Sequence, residues 1–190
     1  MYGPSVTALS AAVCASAALA MFAPNGVAAD PSVSSPDLQR VINALQGTWS
    51  ITEMTTPSLG ASVAATHTGT EVWYTATGGS TLVEENETTL DNEVAHDTAV
   101  IWWNGKAAEM QGVWCASINA EGCSSLHVTL SGSDILMLGE WEDQGGRHAW
   151  KEQFAFGGSD EFTQTLYVGP PGGELERVSV IRARRTAGKS

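Results

Sequence analysis

Ile101-Trp102-Trp103-Asn104-Gly105-Lys106 links the end of one apolar, strand-forming run to the start of the next. Asn and Gly both tolerate positive φ, so this pair suits a type I′ hairpin turn. The same punctuation recurs in both directions from it. Gly78-Gly79, Asp91-Asn92, Gly122, Gly132, Gly145-Gly146, Gly157-Gly158 and Pro170-Pro171-Gly172-Gly173 each interrupt a run of Val, Ile, Thr, Trp, Tyr or Phe. Strand-length runs broken roughly every 8 to 14 residues predict consecutive antiparallel strands joined by hairpins, not βαβ units. A meander of about ten strands leaves two exposed edges unless it closes. The pattern therefore predicts an all-β fold, an antiparallel up-and-down β-barrel of about ten strands. The strands are expected at 48–55, 67–76, 80–89, 97–103, 107–115, 125–130, 134–142, 147–156, 161–168 and 175–184.

One short N-terminal helix precedes them. Ser35 is placed as an N-cap, with Pro36 at the first helical position and Asp37 in the first turn. Leu38, Val41, Ile42 and Leu45 then recur at helical spacing, and Gly47 ends the pattern. That apolar stripe must be buried, and an open end of a barrel offers the place. The segment 56–66 has no pattern and reads as a loop or lid over one barrel mouth.

Residues 1–29 read as an export signal. They carry no charged residue, are Ala-rich and apolar from Val6 to Phe22, and end in Val27-Ala28-Ala29 before Asp30. The alternative, a membrane anchor, fits the short, Ser- and Thr-interrupted run less well. A linker at 30–35, a single barrel domain at 36–185 and a tail at 186–190 complete the organisation. The expected location is exported, either periplasmic or secreted. All charged residues lie in the mature part, which therefore carries the net charge of −12. Such a charge argues against nucleic acid or an anionic membrane as partners. Cys115 and Cys123 remain after cleavage, and an even count in an exported domain favours a disulfide over a metal site with His127.

Parity along each strand sorts side chains between two faces. On 147–156, His148, Trp150, Glu152, Phe154 and Phe156 share the aromatic face, which should be the interior. Phe162, Gln164, Leu166 and Val168 form the matching set on 161–168, and Ile135, Met137, Gly139 and Trp141 on 134–142. On 175–184 the inward set is read as Val178, Val180 and Arg182. Trp73, Trp102 and Trp114 supply the remaining walls. All seven Trp fall in expected strands. They either fill the lumen or line a cavity for a flat apolar molecule. His148 and Glu152 lie ~13 Å apart on one strand, too far to form a couple by themselves.

No Gly-x-Ser-x-Gly, phosphate loop or metal-spaced His pair is present. The sequence thus assigns no catalytic residue, no metal and no cofactor. A single axial His148 for haem is the one cofactor alternative.

Leu45-Gln46-Gly47-Thr48-Trp49, set between the helix and the first strand, resembles the Gly-x-Trp opening of lipocalins and other calycins. In that superfamily the Trp closes the barrel bottom beneath an Arg near the chain's end. The resemblance implies a structural pair of Trp49 with Arg182, or with Arg184, in a cation–π contact. Glu71-Val72-Trp73-Tyr74-Thr75-Ala76-Thr77-Gly78-Gly79-Ser80-Thr81-Leu82-Val83-Glu84-Glu85 is similar to the second hairpin of an exported bacterial group, the domain-of-unknown-function family 1579 (DUF1579). The likeness spans roughly residues 45–185. Members carry a Tyr-Cys pair and a His in the central strands, whereas Trp114-Cys115 stands here with no His before it. The resemblance implies a barrel and carries no site chemistry with it.

The expected function is ligand binding: a small apolar molecule held by Trp73, Trp102, Trp114, Trp141, His148, Trp150, Glu152 and Phe154. The alternatives are an isomerase or hydrolase using Glu152 or His148, and a non-catalytic interaction scaffold.

Overall fold

A computed structural model describes residues 35–57, 64–90, 93–117, 122–143 and 145–186. The expected signal, the linker up to residue 34, the middle of the 56–66 segment and the tail beyond Thr186 lie outside the described residues. Helix α1 spans Pro36–Leu45. Ten strands follow: β1 Gly47–Thr55, β2 Thr66–Ala76, β3 Thr81–Leu90, β4 Glu93–Asn104, β5 Glu109–Ala116, β6 Cys123–Ser131, β7 Asp134–Asp143, β8 Gly146–Phe156, β9 Glu161–Gly169 and β10 Glu176–Arg185. Each pairs antiparallel with its neighbours in the chain, and β1 closes on β10 through pairs such as Thr52↔Arg182. The result is a closed up-and-down barrel. Every strand therefore has two partners, and no sheet edge runs the length of the fold.

Local chemistry explains the helix. The Ser35 hydroxyl accepts a hydrogen bond from the Asp37 backbone N–H at 3.1 Å, and Pro36 supplies a preset φ at the first turn. Leu38, Val41, Ile42 and Leu45 are all buried, so the stripe plugs one end of the barrel. Above it lies an aromatic floor. The Trp49 and Phe162 rings meet at 4.7 Å, Phe154 and Phe162 at 5.5 Å, and Trp73 and Phe154 at 6.3 Å.

Three expectations are corrected by the register. The Asn104-Gly105 connection is not a two-residue turn. Asn104 pairs with Glu109, so the loop holds four residues, and the positive φ falls on Ala108 at 55°. Asn104 acts through its side chain instead, with Oδ1 accepting from the Lys106 and Ala107 N–H groups. On β4 the buried residues are Ala95, Ala99 and Ile101, which places Trp103 on the inner face and Trp102 on the outer one. On β10 the inner set is Ser179, Ile181 and Ala183, all buried, and the register shifts between Arg177 and Ser179. That irregularity lets Val178 pack on the core as well, which obscures the alternation.

The β10 phase also moves the closing cation. Arg182 is exposed, and Arg185 is the residue opposite Trp49. Its guanidinium carbon lies 4.1 Å from the Trp49 ring centroid. The same guanidinium donates to the carbonyls of Ala44, Gln46 and Ser159, which ties the end of α1 to the barrel. Gly47 makes room for it. A Cβ there would stand 2.2 Å from the Arg185 Nη1, at a φ of 139°. Trp49 is anchored on its other side by a hydrogen bond from Nε1 to the Leu45 carbonyl at 2.7 Å.

Replacing Arg185 with Ala removes a stacked cation and several charge-assisted hydrogen bonds, an expected loss of about 2 kcal/mol in urea unfolding. Arg182→Ala, on the exposed face, should change stability by less than about 0.5 kcal/mol.

Candidate binding lumen

Barrel closure fixes which side chains meet inside. The inner face of β8 carries His148, Trp150, Glu152 and Phe154, opposite Trp141, Gly139, Met137 and Ile135 of β7. Trp73 and Phe154 sit in the buried floor. Higher up, Trp114 and Trp150 approach to 6.1 Å between ring centroids. At the mouth Trp141 and His148 stack at 5.0 Å. Trp102 alone of the expected set lies on the outer face. His148 and Glu152 share a face but do not act together, because the His148 Nε2 is held 3.1 Å from the Asp143 Oδ1. Asp143 is held below the usual carboxylate range, first by the Gly145 N–H and then by His148.

The lumen's chemistry is set by residues that the pattern of apolar positions did not reveal. Glu71 and Trp73 are both inward on β2, two residues apart, and the Trp73 Nε1 donates to Glu71. Glu84 lies opposite Trp73 on β3. Glu53 lies opposite Ile181, and its Oε1 accepts from the Ser179 hydroxyl at 2.6 Å. Asp97 shares the inner face of β4 with Ala95 and Ala99. With Glu152, five carboxyl groups from five strands face one interior. Parity would have found Glu71, since it occupies the same face as Trp73.

Burial dominates the protonation of Glu71, Glu84, Asp97 and Glu152. It pushes Glu71 up to about 7, with the hydrogen bond from Trp73 opposing. It pushes Asp97 up to about 6, with Glu53 adding to the effect. Glu152 rises to about 8, first through burial and then through Glu71 and Asp97, while a hydrogen bond with Gln164 opposes. Glu84 is raised well above the usual range by burial and then by Glu71. Among the described residues, Asp97 Oδ1, Gln164 Oε1 and Trp150 Nε1 are buried polar atoms with no hydrogen-bond partner, while Glu71 is bonded by Trp73 and by the carboxyl of Glu84.

Access is asymmetric. The pairing of β6 with β7 begins only at Leu126↔Gly139, so Cys123–Ser125 and Glu140–Asp143 are not paired with each other. A cleft of about 950 Å³ opens there, lined by Ser124, His127, Gly139, Trp141, Arg147 and Trp150 among others. Gly139 is required by close approach: a Cβ would come within 2.6 Å of the Trp150 indole. One lip is fixed by the disulfide between Cys115 and Cys123, which stand directly opposite each other on β5 and β6.

No protein-family model and no curated protein matches the chain. Its fold does match solved structures. The S-type phycobiliprotein lyase CPES from Guillardia theta superposes with a TM-score of 0.56 at 11% identity, over 80% of this chain and 94% of that one. Rv2717c from M. tuberculosis superposes with a TM-score of 0.55 at 13% identity, over 80% and 99%. The fold is thus that of the lipocalin-like barrels. At these identities the likeness extends to architecture alone.

Carboxyls raised in the folded state hold their protons more tightly there than in the unfolded chain. Stability is then greatest below the unfolded carboxylate pKa of about 4.5 and is lost as pH rises through about 6 to 8. The urea midpoint should fall between pH 5 and pH 8.5, corresponding to about 2–4 kcal/mol, and Glu152→Gln should flatten that slope.

Proposed function

We propose that this chain is a non-catalytic barrel that binds a small flat molecule in its lumen, reached from the mouth and the β6–β7 cleft. The observation that carries the reading is incomplete filling at mid-height. Trp114, Asp97, Glu152 and Leu166 all face inward, yet each remains half-buried, with surface open to a water-sized molecule. A lumen packed solid would leave them none. The apolar body of a ligand would lie among Trp114, Trp150 and Trp141, above the sealed floor of Trp73 and Phe154. His148 and Glu152 would orient it from the mouth and from mid-height.

Export is part of the same proposal. A bonded cysteine pair on the outer wall suits an oxidising compartment, as the uncharged, Ala-rich leader does. Kinship with family 1579 belongs here too, on the strength of the Glu71–Glu85 hairpin.

The neutral probe N-phenyl-1-naphthylamine should brighten on entering the barrel. Trp114→Ala and Trp150→Ala should each weaken its binding about tenfold. Trp102→Ala, on the outer face, should leave it unchanged. A probe that never brightens, or that responds equally to all three replacements, overturns the proposal.

A further inference from the structure

We infer that the ligand is cationic, a protonated amine carried on a flat apolar body; this rests on the binding reading above and names its substrate class. The first ground is the charge lining the lumen. Glu53, Glu71, Glu84, Asp97 and Glu152 come from β1, β2, β3, β4 and β8 and act on one another electrostatically. Strands β5, β6 and β9 contribute no ionisable group to the inner face among the described residues, and β7 contributes only Asp143 at the mouth. Among the described residues, the one Lys or Arg on that face is Arg185, at the floor and engaged by Trp49 and three carbonyls. His67, opposite Glu53, is the other titratable base on this face besides His148 at the rim. Buried carboxyls without cations are costly when ionised, so the barrel on its own carries a deficit of positive charge.

The second ground is independent of charge. Gln164 is 5% exposed, faces the lumen, and presents an oxygen, Oε1, with no donor. Gln164 stands beside Glu152, to which it hydrogen-bonds. An oxygen wanting a donor next to a carboxylate matches an ammonium group, which carries three N–H bonds and a charge together. The tilted rings of Trp114 and Trp150, the latter two residues from Glu152 on the same face, add a cation–π surface. A bare metal ion fits less well, since no three acidic, His or Cys side chains among the described residues converge as ligands. The net charge of −12 would draw cations toward the mouth.

Binding involves no covalent change. The amine enters as an ammonium ion, a carboxyl that held a proton releases it to solvent, and the carboxylate pairs with the ammonium. Affinity for a cation should then rise with pH between 6 and 8.5, as the acids ionise.

Calorimetry with three matched probes tests the idea: tryptamine, the neutral tryptophol and the anionic indole-3-propionate, with the 2-phenylethyl counterparts alongside. At pH 7.5 each amine should bind about tenfold more tightly than its alcohol, with the anion weakest. Its heat should depend on the buffer, in the direction of proton release. Glu152→Gln and Glu71→Gln, made singly, should narrow the amine–alcohol gap to about threefold or less, with an unchanged far-UV circular dichroism spectrum showing that the barrel is intact. Equal binding of amine and alcohol, preference for the anion, or no amine binding where the neutral probe binds each overturns the cation inference and leaves the binding reading standing. Failure of every probe, the neutral one included, overturns both.

Discussion

The pairing of the first strand with the last governs everything else in this fold. Trp49 opposite Arg185 locks the phase of both terminal strands, and every other strand inherits its inner face from a neighbour. A slip of one residue at that seam would turn outward either Trp49 and Ile51 of β1 or Ile181 and Ala183 of β10. The seam is protected by more than ladder hydrogen bonds. Arg185 covers the Trp49 ring and holds the end of the helix, while Trp49 bonds back to Leu45. The helix plug and the closure are thus one assembly.

Above that assembly the interior changes character with height. The floor is aromatic and sealed by the helix stripe. The middle carries carboxyls beside partly accessible Trp and Leu, and the rim carries the stacked Trp141–His148 pair. Close packing at one end stabilises the barrel through apolar burial, while the acids in the middle oppose it. A fold that tolerates several buried carboxyls without cations must draw its stability from elsewhere, and the floor is the evident source.

Much of this was legible in the sequence. Turn residues located the strands to within a few positions, and the Ser35-Pro36 start placed the helix. Parity held on β8 and β9, where large apolar and polar residues alternate, and on β7 despite the outward Leu136 and Leu138. It failed where both faces look alike. Trp102 and Trp103 are adjacent aromatics, so composition could not choose between them, and only the burial of Ala99 and Ile101 does. On β10 the more apolar-looking set, Val178 and Val180, lost to Ser179, Ile181 and Ala183, because the floor beside Phe162 accepts a small side chain and the strand is irregular near its start. Glu152 was read as inward because it shares a face with Trp150 and Phe154, whereas Glu53, Glu71, Glu84 and Asp97 were passed over because carboxylates ordinarily face water.

The gap between β6 and β7 makes the wall mechanically uneven. Covalent stitching to β5 immobilises the β6 lip, whereas the β7 lip continues into a hairpin whose turn approaches Gly146. Trp141, Trp150 and His148 stand on the lip that lacks the covalent tie, so the aromatic wall belongs to the less restrained side of the slot.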